Sequence, residues 1–374
     1  MNVITLTSND VGISWGPAIH FLELWNCVTT DAADIGVAGF APSWTAKAPI
    51  ISPTFALRQI RVPNVPVLRQ LVYDAIVALG VIARSRSEDV IYVRLSQFHA
   101  FSTLMLCVMR RSIFVEVNGL LVDDAVSAKR GWLFRRYVRW QERLLMRRAT
   151  GIIAVSAGIA RFIENSYTPR GQLRVLKNGV APQFFQTTPR GSDGAAAAPV
   201  VVYVGTFTPW DGASHIIELA REFPSVRFQM VGDGPGRVEL QRIAPDNVDF
   251  TGRVAYADLP ELYARADAGI VLYEVKRHER VELSSLKTLE YLASGLPIFS
   301  TDVHGQQFIA ELGCGILTKA ETIRQDFAGF VASLPQLRAT ALAMRPEIRR
   351  RFSWERVATE TVDMIRGRRE APVT

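Results

Sequence analysis

Two carboxylates with a lysine between them are the residues of this chain whose spacing first suggests chemistry. They lie in "RVELSSLKTLEYLASGLP", Arg280–Pro297, as Glu282 and Glu290 with seven residues between them, and Ser284, Ser285 and Lys287 fill the gap. The run "LKTLEYLASG" reads as a short helix ended by Gly295. Ser284 or Ser285 can cap its start, which leaves the first N–H groups, near Ser285, Leu286 and Lys287, without partners inside the helix. Those N–H groups, the helix dipole and the Lys287 ammonium together make a seat for a diphosphate. Glu282, in the loop before the helix, can accept hydrogen bonds from sugar hydroxyls, and Glu290 can hold a ribose diol. The plainer alternative is a solvated loop charge beside Arg280 and an exposed glutamate paired with Lys287 at i,i+3. Spacing alone leaves both open.

Glycine-bearing turns stand at the ends of strand-like runs: Gly205 and Thr206 in "VYVGTF", Gly232, Gly234 and Gly236 in "MVGDGPG", Gly252 and Arg253 in "DFTGRV". Glycine there lets backbone N–H groups approach a ligand, although each turn is also what a tight strand-to-helix connection requires. None of them matches a spaced GxGxxG fingerprint or a P-loop.

The elements that must position these residues alternate in type. The first half opens with "NVITL", the loop "TSNDVGISWGP" and a helical pattern, "AIHFLELWNCV"; "VIYVRL", "SIFVEVN" and "GIIAVS" follow as further strands. The second half restarts with "PVVVYVG" and continues through "VRFQMVG", "VDFTG", "AGIVLY" and "PIFST". Apolar strands alternating with helices predict parallel sheets covered on both faces. The 374 residues exceed one ordinary core, and "TTPRGSDGAAAAP", residues 187–199, reads as a linker or surface loop between the halves. The expectation is therefore an α/β chain of two doubly wound, Rossmann-like domains facing each other across a cleft, with ligands at the carboxyl ends of the strands.

The composition, 48% hydrophobic and 21% charged, is that of a globular protein. No basic stretch followed by a long apolar core opens the sequence, so no secretory signal is expected. "LVYDAIVALGVIA" and "FHAFSTLMLCVM" are both too short to span a bilayer. Cys27, Cys107 and Cys314 are isolated, which points to a reducing compartment and away from structural zinc. A cytoplasmic protein is expected, peripheral to the inner face of the membrane if attached at all. Charge is uneven: residues 1–182 carry 21 Lys/Arg against 12 Asp/Glu, and residues 183–374 carry 22 against 24. Much of the excess sits in "KRGWLFRRYVRWQERLLMRR", residues 129–148, a basic amphipathic helix with Leu133, Tyr137, Trp140 and Leu144 on one face and Arg135, Arg139, Arg143 and Arg147 on another. The apolar face is expected in the core, with the arginines free to meet an anionic membrane surface. No aromatic-rich motif accompanies the charge, and nucleic acid is not an expected partner.

The stretch "ELSSLKTLEYLASGLPIFST" resembles the Glu-x7-Glu signature of glycosyltransferase family 4, retaining enzymes of the GT-B fold. "VVYVGTFTPWDGASHIIELA", "FQMVGDGP", "VDFTGRVAYADLPELYARADAGIVLY", "ATGIIAVSAGIARFI" and "VLKNGV" resemble segments of the same family, "IFVEVNGL" the EvN segment of one branch, and "FSWERVA" a C-terminal helix that often crosses back. The resemblance implies an acceptor-binding domain over residues 1–185, a nucleotide-sugar domain over 186–350 and a returning helix in 351–374. It implies that Glu282 contacts the donor sugar and Glu290 the ribose, and that Ser285, Leu286 and Lys287 hold the diphosphate. Gly205, Thr206, Gly232, Gly234 and Arg253 would complete the donor side. Gly16 would lie near the donor phosphate, with Gly12 and Ser14 facing the acceptor. Two departures stand out. Relatives often carry a basic residue after the glycine of "VGTF" and a Lys-Gly pair shortly beyond, where this chain has Thr206 and Trp210-Asp211-Gly212. Where some members have a catalytic histidine, this chain offers Asn118, with Glu116 nearby. Asp123-Asp124 is read as a solvated loop, and neither a metal nor another cofactor is expected. The implied reaction moves a sugar from a nucleotide-sugar donor to a glycan or lipid-linked acceptor in envelope or exopolysaccharide synthesis. A soluble acceptor and a non-catalytic nucleotide-sugar-binding protein are the alternatives.

Overall fold

A computed structural model describes residues 1–109, 111–127, 129–187, 198–208, 211–275, 282 and 284–367. Arg280, Trp210, the side chain of Asp124 and most of the stretch expected to be a linker lie outside the described residues. The chain divides into two compact units, residues 1–179 with everything from Trp354 on, and Val180–Ser353. The sequence-derived divisions were placed at 185/186 and 350/351.

Among the described residues the first unit holds seven strands: β1 (Asn2–Leu6), β2 (Gly36–Ser43), β3 (Ala56–Arg61), β4 (Val90–Arg94), β5 (Ser112–Val117), β6 (Gly151–Ala154) and β7 (Gln172–Val175). They lie in the order β3-β2-β1-β4-β5-β6-β7, all parallel. The second unit holds β8 (Val200–Gly205), β9 (Arg227–Gly232), β10 (Val248–Gly252), β11 (Ala268–Val271), β12 (Ile298–Thr301) and β13 (Gly315–Thr318), in the order β10-β9-β8-β11-β12-β13, again all parallel. Central strands buried on both faces explain the apolar runs that alternation would have interrupted. In β4 and β11 every residue is buried. Each order reverses once, between β1 and β4 and between β8 and β11, and the carboxyl ends beside such a reversal form the crevice where these folds bind ligands.

Aromatic rings fill much of the second core. Phe327, from the helix Ile323–Ala332, meets Phe299 of β12 edge-on at 5.1 Å and stacks on Phe228 of β9 at 5.7 Å. Each such buried side chain contributes about 1.5–3 kcal/mol through its apolar surface alone. In the first unit the last helix, Trp354–Ile365, packs on Gly16–Asp31. Its fully buried Trp354 sits edge-on to the His20 ring at 4.8 Å.

One expectation fails on the helix Trp132–Arg148. The structure buries Val138, Gln141, Glu142, Leu145 and Met146, and leaves Trp132, Leu133 and Trp140 exposed. Of the stripe expected in the core, Leu133 and Trp140 thus point outward, while Tyr137 and Leu144 are half-buried. The inner face tolerates two polar residues because both are satisfied. Gln141 accepts from the His99 N–H (2.9 Å) and donates to the Ser96 carbonyl (2.6 Å), and Tyr167 Oη donates to Glu142 (2.5 Å).

Candidate functional site

In the second unit the carboxyl ends of β8 and β11 bring together residues that the sequence separates by more than seventy positions. Ser285 caps the helix Leu286–Ala293, its Oγ accepting from the Thr288 N–H at 3.4 Å, and Tyr273 Oη donates to the same Oγ at 3.0 Å. Of the two serines able to cap, the structure therefore selects Ser285. With its hydroxyl engaged, the N–H groups of Leu286 and Lys287 remain the outward donors of the first turn.

Lys287 rises from that turn between two aromatic rings. Its Nζ lies 4.7 Å from the ring centre of Tyr203, on β8, and 5.7 Å from that of Tyr273, just after β11. Burial among these rings lowers the lysine pKa, while the charges of Asp211 and Glu290 pull the other way. Asp211 stands in the loop after β8 and is itself buried. It accepts from Thr206 Oγ1 (3.0 Å), Thr208 Oγ1 (2.7 Å) and the Thr208 N–H (3.3 Å). Burial would raise its pKa, but the Lys287 charge and these hydrogen bonds hold it below the ordinary carboxylate value.

Glu290 is buried, one turn below Lys287, and Tyr263 Oη donates to it at 3.2 Å. The exposed-glutamate alternative for this residue is thereby excluded. Glu282 is half-buried in the loop before the helix. Gly205 and Thr206 end β8, and Gly232 and Gly234 follow β9. A Cβ on Gly232 would stand 1.9 Å from the Gly205 carbonyl oxygen, and one on Gly234 would stand 1.5 Å from that of Thr206. Close approach of the two loops thus accounts for both glycines without a ligand. Arg253 follows β10 and is exposed, its Nε 3.4 Å from Asp233 Oδ2, a pair weakened by solvent. A cavity of about 380 Å³ lies elsewhere, beside Arg227, Asp249 and Glu261, and none of the sequence-derived site residues lines it.

In the first unit the loop between β1 and the helix Gly16–Asp31 is tied down by Asp10. This fully buried carboxylate accepts from the N–H groups of Gly12, Trp44 and Thr45, each at 2.9 Å, and from Thr45 Oγ1 at 2.8 Å. Ser14 is exposed on that loop, and Gly16 opens the helix. Glu116, expected on the acceptor side, is only 2% exposed within β5. Its carboxylate meets Arg94 Nη1 (2.9 Å), His20 Nε2 (2.9 Å), Tyr92 Oη (2.7 Å) and the Asn118 side-chain amide. Burial alone would raise its pKa, but His20, Arg94 and Asn118 hold it well below the usual carboxylate range. Glu116 thereby orients Asn118 and Arg94.

Sequence reasoning missed Asp10, Tyr203, Tyr263 and Tyr273 as parts of these sites. All four stand in stretches read for their strand, loop or helix pattern, Asp10 in "TSNDVGISWGP", Tyr203 in "PVVVYVG" and Tyr273 in "AGIVLY", and those patterns did not mark them as site residues.

This fold, two doubly wound parallel sheets, is that of the GT-B class. Sucrose-phosphate synthase from Thermosynechococcus elongatus matches it with a TM-score of 0.78 at 18% identity, over 98% of each chain. Anabaena Alr3699/HepE in complex with UDP-glucose matches with 0.71 at 16%, over 98% of this chain and all of that one. A family model for "Glycosyl transferases group 1" covers residues 198–336, and one for a "Glycosyl transferase 4-like domain" covers residues 30–179. The chain belongs to this glycosyltransferase family. Among characterised relatives, alpha-maltose-1-phosphate synthase of Mycolicibacterium smegmatis is 24% identical over 61% of this chain and 65% of its own length. Lipopolysaccharide core biosynthesis glycosyltransferase LpsE of Rhizobium meliloti is 29% identical over 43% and 47%. The match thus spans under two thirds of the first relative and under half of the second.

Proposed function

We propose that the protein is a retaining glycosyltransferase that moves a hexosyl unit from a nucleotide-sugar donor to an acceptor hydroxyl, with the donor held by the second unit. The observation that carries this reading is Lys287, set in the first turn of a capped helix beside buried Glu290 at the reversal between β8 and β11. Its ammonium and the N–H groups of Leu286 and Lys287 meet the diphosphate, and Glu290 meets the ribose. Glu282 contacts the transferred sugar, and Gly205, Thr206, Gly232, Gly234 and Arg253 border the nucleotide. As the glycosidic bond lengthens, negative charge grows on the leaving diphosphate, and these fixed dipoles and the cation stabilise it without a metal. The departing oxygen can then take the acceptor proton, so retention needs no enzymic nucleophile. The first unit receives the acceptor through the Gly12–Gly16 loop with Ser14, and through Asn118, which Glu116 orients.

A lipid-linked glycan intermediate, met at an anionic membrane surface, is the acceptor class we favour, in line with the lipopolysaccharide core biosynthesis for which the Rhizobium relative is named. Hydrolysis of a panel of nucleotide sugars by wild type and Glu282→Ala tests the transferase reading. One or a few donors should be cleaved by wild type, and the variant should lose about 10²-fold or more in rate. A protein that binds and cleaves none of the panel would sink it.

A further inference from the structure

We propose that the outer face built by the helices Leu68–Arg84, Ala100–Val108 and Trp132–Arg148 docks on an anionic lipid bilayer. It extends the lipid-linked acceptor reading above, but its physical basis is independent of the donor site.

The three helices pack side by side on the first unit. Each turns large apolar side chains outward: Leu79 is 68% exposed, Val108 83% and Trp132 66%, and Ile82, Leu104, Leu133 and Trp140 add to the same surface. On Trp132–Arg148 the rings continue inward as a ladder, Trp140 to Tyr137 at 6.1 Å, Tyr137 to Phe134 at 5.9 Å and Phe134 to Phe98 at 5.4 Å. Isolated exposed apolar residues are ordinary, but a patch spread over three neighbouring helices marks an interaction surface.

Charge identifies what covers it. The three helices carry eight arginines and two acids, and both acids, Asp74 and Glu142, are buried. Every exposed charge on these helices is therefore positive. Arg136, Arg139, Arg143 and Arg147 are exposed along Trp132–Arg148, beside the tryptophans, while Ala100–Val108 carries no charge at all. An apolar surface with aromatic residues, on helices whose own exposed charges are all cations, suits the headgroup region of an anionic bilayer. A second copy of the same face would set arginine against arginine. Among the described residues no helix is long and apolar enough to cross a membrane, so the attachment is to the surface.

The test uses the full chain without donor or acceptor, sedimented with vesicles of phosphatidylcholine alone or mixed with phosphatidylglycerol. Wild type should bind the anionic vesicles at least about tenfold more strongly and lose that preference in high salt. Arg139→Glu with Arg143→Glu should abolish the preference, and Leu79→Glu with Leu104→Glu should abolish binding to both. Nucleotide-sugar hydrolysis by these variants should equal that of wild type. Equal, negligible binding to both vesicle types would overturn the docking surface. So would a wild-type dimer in solution that the Leu79→Glu, Leu104→Glu variant converts to monomer. Absent vesicle binding with intact hydrolysis refutes only the surface; binding without hydrolysis of any donor supports it and counts against the transferase reading.

Discussion

Lys287 and Asp211 set the character of the donor site at the scale of single residues. The lysine lies over Tyr203 and Tyr273, and the aspartate is buried in the loop after β8. Asp211 thereby offsets the positive charge a diphosphate would seek. Its three hydrogen bonds fix the Thr206–Thr208 turn, so its carboxylate remains close when ligand arrives. Asp211→Asn keeps one acceptor for those donors and removes the charge. Nucleoside diphosphate affinity, measured by calorimetry at neutral pH, should rise by about 3- to 10-fold from the lost repulsion. Weaker binding would mean that Asp211 serves the site by holding the loop and not by tuning its charge. The helix cap was legible in the sequence because Ser285 and the Thr288 N–H it accepts from are three positions apart. The burial of Glu116 was not legible because its partners His20, Tyr92 and Arg94 come from other elements, and no local pattern reports burial.

Among the elements, the helix Trp132–Arg148 shows how periodicity can select the wrong stripe. Leu133, Tyr137, Trp140 and Leu144 make the more apolar face, yet the buried side takes Gln141 and Glu142, which His99, Ser96 and Tyr167 of other elements meet. Burial pushes the Glu142 carboxyl up to about 7, against the hydrogen bond from Tyr167 that favours its charged form. Because the folded pKa lies above the ordinary carboxylate value of 4.5, the native state binds more protons between the two. Stability from this group is present below about pH 4.5 and is lost as the pH rises to about 7. Glu142→Gln should remove that loss, so denaturant unfolding at pH 8 should show the variant more stable by roughly 2–3 kcal/mol and near wild type at pH 4.5. A variant destabilised equally at both would show that the Tyr167 contact outweighs the cost of burying the charge. The strands β2, β3, β7 and β13 escaped sequence reading. β2, "GVAGFAPS", carries two glycines and a proline, β3 and β13 lie at sheet edges, and β7 has only four residues.

For the whole molecule, the repeated strand–helix alternation made two doubly wound units readable, since a parallel sheet needs a helical crossover between successive strands. Placing the ends of each unit needed more. Trp354 joins the first unit through its packing on His20 and beside Gly179, where an added Cβ would stand 2.6 Å from the indole ring. Such a contact joins residues more than 170 positions apart, which is why the boundary near residue 353 is sharper in the structure than in the sequence. The central claim is that the second unit binds the donor through Lys287. Titration of the full chain with a panel of nucleoside diphosphates tests it most directly. Wild type should bind at least one of them, and Lys287→Ala should weaken that binding on the order of 10- to 100-fold. A variant that folds and binds the same nucleotide with unchanged affinity would contradict the account.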